Sequence, residues 1–142
     1  MSGLEQVLII LLSMLGAVTT YHISVNLKKG NVLASAIVVF IAGVLHYIFP
    51  GTFGANHAAA LAAASYAGMV SGENVPDIRN CAIIGLMCGT IFTFSTSAYV
   101  GVGGRLGTIA AISCGAYFGF KMLIESFDTS KIGVQETAKS NK

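Results

Sequence analysis

V-G-V-G-G-R-L-G-T, from Val100 to Thr108, sets four glycines (Gly101, Gly103, Gly104, Gly107) around one arginine, Arg105. A long apolar run lies on each side. Behind it stands T-F-S-T-S, Thr93 to Ser97, and after it comes a ladder of small residues. A charged, backbone-exposing connection between two apolar runs reads as the turn between two membrane-spanning helices. The rest of the chain supports that reading.

Of the 142 residues, 54% are hydrophobic and only 10% are charged. A soluble domain carries about 25% charged residues. Mean hydropathy is +0.76, and the apolar runs approach the roughly 20 residues that cross a bilayer. The expected fold is an all-α integral membrane bundle with five spans. They are Leu4 to Asn26, Asn31 to Phe49, Phe53 to Val70, Ile78 to Ala98 and Thr108 to Ser126. Pro50-Gly51 stops the second span, and Ser71 to Asp77 is a polar connection. The third, G-A-N-H-A-A-A-L-A-A-A-S-Y-A-G, offers mostly methyl groups and belongs inside the bundle. Residues 1–127 form the membrane domain, and 128–142 form a polar tail expected to be largely disordered. The N-terminal run lacks a basic flank and a small-residue cleavage site, so it reads as a retained span.

Charge orients this arrangement. With the Lys28-Lys29 loop cytoplasmic, Arg79, Lys121, Lys131, Lys139 and Lys142 fall on the same side, and Arg105 alone lies outside. The expected placement is the cell (inner) membrane, N-terminus out and C-terminus in. A net charge of +2 gives no argument for nucleic acid. The partners expected are the bilayer, further copies of the chain and a small ion or solute; no cofactor or metal is implied.

Small residues suggest how the helices pack. Gly107, Ala111, Gly115 and Gly119 recur every four residues on the last span, and Gly85 and Gly89 form a G-x-x-x-G on the fourth. Seams of this kind want partners on several faces, which favours a homo-oligomer packed through Gly/Ala seams. Cys81, Cys88 and Cys114 form no C-x-x-C pair and read as small buried hydrophobes.

The span order gathers polar residues at one end. His46 closes the second span, Asn56 and His57 open the third, and Ser95, Thr96 and Ser97 close the fourth, beside Arg105. Arg105 offers a permanent charge and a fork of donors, with Gly103 and Gly104 freeing backbone N–H groups at a helix N-terminus. Its plainer role is to meet lipid headgroups or cap a neighbouring helix. Thr90, Thr93 and Ser97 share a helical face and, with Ser95 and Thr96, suggest a polar wall. Their plainer role is to bond their own helix carbonyls or neighbouring helices. His57 beside Asn56 suits a proton-responsive or ligand-bonding role, against that of a satisfied interfacial histidine. No acidic residue lies deep in an apolar run, which disfavours carboxylate-driven ion pumping. G-x-S-x-G, H-E-x-x-H and P-loop patterns are missing.

Cys88-Gly89-Thr90-Ile91-Phe92-Thr93-Phe94-Ser95-Thr96 resembles the broken-helix segment of the small Fluc-type fluoride channels. The resemblance covers about ten residues. It implies an oligomeric anion channel with Phe94, Ser95 and Thr96 at the helix break. The chain departs from that family in having no glycine-rich opening followed by arginine in its first span. Ser35 stands where the family has asparagine, and there is an additional alanine-rich helix.

The leading expectation is a non-enzymatic, homo-oligomeric channel or transporter-like protein for a small anionic solute. It would use Thr93, Ser95, Thr96 and Ser97, with Arg105, Gly103, Gly104, His57 and Asn56 at the outer mouth. The alternatives are a membrane subunit or scaffold of a larger assembly, and a membrane-embedded enzyme or cofactor binder built on His46 and His57.

Overall fold

The computed structural model describes residues 2–70, 74–95 and 103–140, with side chains through 127. Five α-helices follow in order: α1 (Gly3–Tyr21), α2 (Asn31–Ile48), α3 (Thr52–Ala67), α4 (Ile78–Ser95) and α5 (Arg105–Ser140). No strand occurs among the described residues. A single π-helical turn, His22–Asn26, prolongs α1.

Local chemistry sets the helix ends. Ser2 and Glu5 make a reciprocal capping box at the start of α1: Ser2 N–H donates to Glu5 Oε2 at 2.7 Å, and Glu5 N–H to Ser2 Oγ at 3.3 Å. Lys28 (φ +53) and Gly30 (φ +88) turn the chain from α1 into α2, and Gly51 (φ +111) turns it from α2 into α3. α5 starts at Arg105, three residues before the expected start, because the Gly104 carbonyl accepts the Thr108 N–H at 3.0 Å. It continues through the polar segment to Ser140, a stretch that holds no proline to stop it.

Contacts between helices give their directions. Gly85 lies against Ala17 and Met14, and Gly89 against Ile10 and Ser13, so α4 runs antiparallel to α1. Gly16 lies against Leu61 and Ala64, and Gly68 against Ala17 and Thr20, so α3 runs parallel to α1. Ser35 meets Ser65 at 3.0 Å and Asn31 Nδ2 donates to Met69 O at 3.0 Å, so α2 is antiparallel to α3. Ser65 spends its own proton on the Ala62 carbonyl (2.8 Å), which makes Ser35 the donor of the pair. The helices alternate in direction, and α3 touches α1, α2, α4 and α5.

Four stretches are long and apolar enough to cross a membrane: Gly3–Asn26, Asn31–Ile48, Ile78–Ser95 and Arg105–Phe127. α3 is not one of them. Its 16 residues reach about 24 Å at 1.5 Å per residue, against a hydrocarbon core of about 30 Å. Within the bundle it runs from the Phe49 end to the Asn31 end, alongside α1 and antiparallel to α2. Its alanines Ala60, Ala63, Ala64 and Ala67 are buried, as the methyl-rich sequence requires.

The surface is apolar and the interior carries hydroxyls. Val32, Phe40, Ile48, Phe94, Met122 and Ile124 are all exposed, whereas Ser13, Thr20, Ser35, Ser65 and Ser113 are buried. This is the reverse of a water-soluble helical domain and is compatible with a protein whose solvent is lipid. Cys81 and Cys88 are buried and Cys114 is half-buried; all three are free thiols.

At the Asn31 end, the buried Tyr21 hydroxyl donates to the carbonyl of the buried Val75. This bond ties the connection before α4 to the end of α1. Tyr21→Phe keeps the ring and leaves that carbonyl unpaired, which costs about 1–3 kcal/mol. Equilibrium unfolding in mixed detergent should show the loss; an unchanged midpoint would contradict it.

Candidate functional site

The end of the bundle that holds the α2–α3 turn also holds the C-terminus of α4 and the N-terminus of α5. His57, Ser95, Gly103 and Arg105 therefore lie at one end, as span order predicts. Packing then divides them between two cavities on different faces.

The first cavity lies between α4 and α5. It has a volume of about 130 Å³ and is lined by Ile91, Ser95, Gly103, Arg105, Thr108, Ile109 and Ile112. Gly104 (φ +81) makes the turn that starts α5. From the first residue of that helix, Arg105 folds back over α4. Its Cζ stands 5.2 Å from the centroid of the Phe92 ring, a cation–π contact to a buried aromatic. Nε and Nη2 of Arg105 are buried and find no hydrogen-bond partner among the described residues. The half-buried side chain brings a positive charge, with two nitrogens that have no partner among the described residues, to the wall of a small, mostly aliphatic cavity. The N-terminus of α5 adds positive potential at the same place.

The hydroxyls behave differently from the arginine. Thr90 Oγ donates to the Leu86 carbonyl at 2.9 Å, Thr93 Oγ to Gly89 O at 2.8 Å, and Thr108 Oγ to Gly104 O at 3.1 Å. Ser95 Oγ points at Phe92 O from 3.4 Å. Each proton is thus directed at a carbonyl of its own chain, which is the plainer role for membrane Ser and Thr. Of this set only Ser95 and Thr108 line the Arg105 cavity. α4 is continuous to Ser95. Thr96, Ser97 and Gly101 lie outside the described residues.

The second cavity lies among α1, α2 and α3. It has a volume of about 210 Å³, lined by Leu8, Leu12, Leu45, Phe49, Phe53, Gly54 and His57. His57 is only 6% exposed. Its Nδ1 bonds the Phe53 carbonyl at 2.7 Å, and its ring stacks on Phe53 with centroids 4.0 Å apart. Nε2 is buried without a partner among the described residues. Asn56 is half-buried and lines neither cavity, and His46 is exposed on α2, away from His57. A further buried, unpartnered atom, Ser13 Oγ, sits where α1 meets Gly89 of α4.

Two sets of contributors escape a reading of the sequence. Phe92 is one aromatic in an apolar run, and nothing local announces that Arg105 will lie over it. The leucines of the second cavity come from α1 and α2, far from His57 in the chain. The Phe53–His57 pair was findable, because residues four apart share a helix face.

Comparisons with protein-family models, with curated proteins and with solved structures give no match to this chain.

Proposed function

We propose that this is a small multi-pass membrane protein, a homo-oligomeric channel or transporter-like protein, that takes up a small anion at the Arg105 cavity. One observation carries the reading: Nε and Nη2 of the half-buried Arg105 are themselves buried and have no partner among the described residues. An unpaired buried charge is costly unless something of opposite sign neutralises it in use. The cavity of about 130 Å³ has room for about four waters at roughly 30 Å³ each. That suits a halide-sized anion that keeps part of its hydration. Arg105 and the α5 N-terminus supply the charge that replaces the rest. Ser95 and Thr108 turn into the site when an anion competes for their protons.

Orientation follows from charge. Lys28, Lys29, Arg79 and Lys121 lie at the end opposite Arg105, which makes that end cytoplasmic and the Arg105 cavity outward-facing in the cell membrane.

Copies of the chain meet along α5. Gly107, Gly115 and Gly119 face away from the bundle, and a Cβ added at any of them meets no atom within 4 Å. A bulky side chain there therefore leaves the protomer intact and obstructs a neighbouring copy. Gly115→Leu should convert an oligomer to monomers in cross-linking and native mass measurements, with helix content unchanged. A wild-type protein already monomeric in lipid would remove the oligomeric part of the reading. Wild type purified only with a different chain on that face would favour a subunit of a larger assembly.

Binding is tested by unfolding at fixed ionic strength, exchanging a bulky organic anion for halide. A halide at ten times its dissociation constant should add about 1.4 kcal/mol of stability. No anion-dependent shift with any halide or small carboxylate would overturn the assignment.

A further inference from the structure

We propose that the His57 cavity binds a phenol-class ligand: one aromatic ring whose hydroxyl donates a hydrogen bond to His57 Nε2. The site is separate from the Arg105 cavity and does not depend on its role.

The geometry defines the ligand from three sides. The first is the direction of the hydrogen bond. A backbone carbonyl can only accept, so Nδ1 is the donor in its 2.7 Å contact with Phe53 O. In the neutral ring this places the single proton on Nδ1 and leaves Nε2 a bare acceptor. The tilted contact with the Phe53 ring and the bond to the Phe53 carbonyl both favour this orientation of the imidazole. Nε2 is buried and lacks a partner among the described residues, so the cavity calls for a donor.

The second side is the character of the walls. Leu8, Leu12, Leu45, Phe49, Phe53 and Gly54 provide no other polar side chain. An anion would meet a lone pair there and no donor. A hydrocarbon chain would suit the walls but leave Nε2 unpaired. An apolar body with one donor satisfies both demands.

Size and shape are the third. An aliphatic-lined cavity of about 150 Å³ holds benzene, and this one, at about 210 Å³, holds one ring with small substituents. Phe49 and Phe53 offer aromatic surface for stacking or edge contacts. The absence of a side chain at Gly54 lets the α2–α3 turn close beneath the ring.

A free phenol and the head group of a membrane quinol share this chemistry, and the test separates them. The full chain, in lipid nanodiscs, is titrated with 4-fluorophenol and with 4-fluoroanisole, followed by fluorine NMR. The ether has nearly the same shape but no donor. Saturable phenol binding at least tenfold tighter than ether binding is expected. The nitrogen-15 resonance of His57 Nε2 should move on saturation far more than that of Nδ1. In His57→Leu, phenol affinity should fall to the level of the ether. Displacement of the phenol by decyl-hydroquinone identifies a quinol head group; retention of the phenol identifies a free phenol. Equal affinity for phenol and ether in the wild type, an unmoved Nε2 resonance at saturation, or no saturable binding would each overturn the proposal. The last three readings use the native chain, so they decide even where His57→Leu fails to fold.

Discussion

Gly54→Ala is expected to abolish the native bundle. A Cβ at this position would overlap the Phe49 carbonyl oxygen and press on the Phe49 side chain. Both belong to the turn that reverses the chain between α2 and α3. Flexible side-chain tips can yield to a new methyl, but the Phe49 backbone carbonyl, at the start of a short turn through Pro50 and Gly51, has nowhere to go. The α2–α3 turn must open, and α3 must then shift against every other helix. The cost should reach about 4 kcal/mol or more, the range reserved for core backbone clashes. The variant should be lost to aggregation or retained only with a collapsed unfolding midpoint. Gly43→Ala is the matched control. Nothing lies within 4 Å of its added methyl, and alanine is favoured over glycine in a helix by about 1 kcal/mol. That variant should be as stable as the wild type or more so. Equal behaviour of the two alanine variants would contradict the packing described for the turn.

Arg105→Gln carries the second large effect, and its signs differ for function and stability. Charge-assisted hydrogen bonds contribute about 1.5–3 kcal/mol each, and each 1.4 kcal/mol is tenfold in affinity. Anion binding and anion flux should therefore fall by roughly ten- to hundredfold. Stability should hardly change in the absence of anion. The variant loses the contact with Phe92, worth about 0.5–2 kcal/mol, and at the same time removes a half-buried charge with two nitrogens that have no partner among the described residues. A residue kept for structure would show the opposite pattern, with stability lost and binding retained. Arg105→Lys keeps the charge without the planar fork and should fall between the two.

Much of the fold is legible in the chain because long apolar runs separated by local turn signals leave few ways to divide it into helices. Pro50-Gly51, Lys28 to Gly30 and Gly104 are local turn signals, and they mark the helix ends to within a few residues. The methyl-rich stretch around Ala58 to Ala64 states its own burial. Span order also brings His57, Ser95 and Arg105 to one end. The sequence is silent on how each helix is rotated against its neighbours. Periodicity places Gly85 and Gly89 on one face, and Gly107, Gly115 and Gly119 on another, without saying which face is covered. In the structure the first pair lies against α1, whereas a Cβ added to any of the second set meets nothing within 4 Å among the described residues. The same ignorance of rotation makes His57 and Arg105 read as one site, whereas packing turns His57 toward α1 and α2 and Arg105 toward α4. Hydroxyl spacing likewise reveals a polar stripe on α4, yet not that Thr90 and Thr93 spend their protons on their own helix. The run of apolar residues overstates the length of α3. The apolar run continues to Val70, but the helix closes at Gly68.

The most direct measurement is ion flux from liposomes loaded with different salts, with wild type and Arg105→Gln reconstituted side by side at equal, verified oligomeric state. The account predicts flux that depends on anion identity, is indifferent to the cation, and drops at least tenfold in the variant. Anion flux equal in the two proteins, or no flux for any anion from folded, oligomeric wild type, would contradict it.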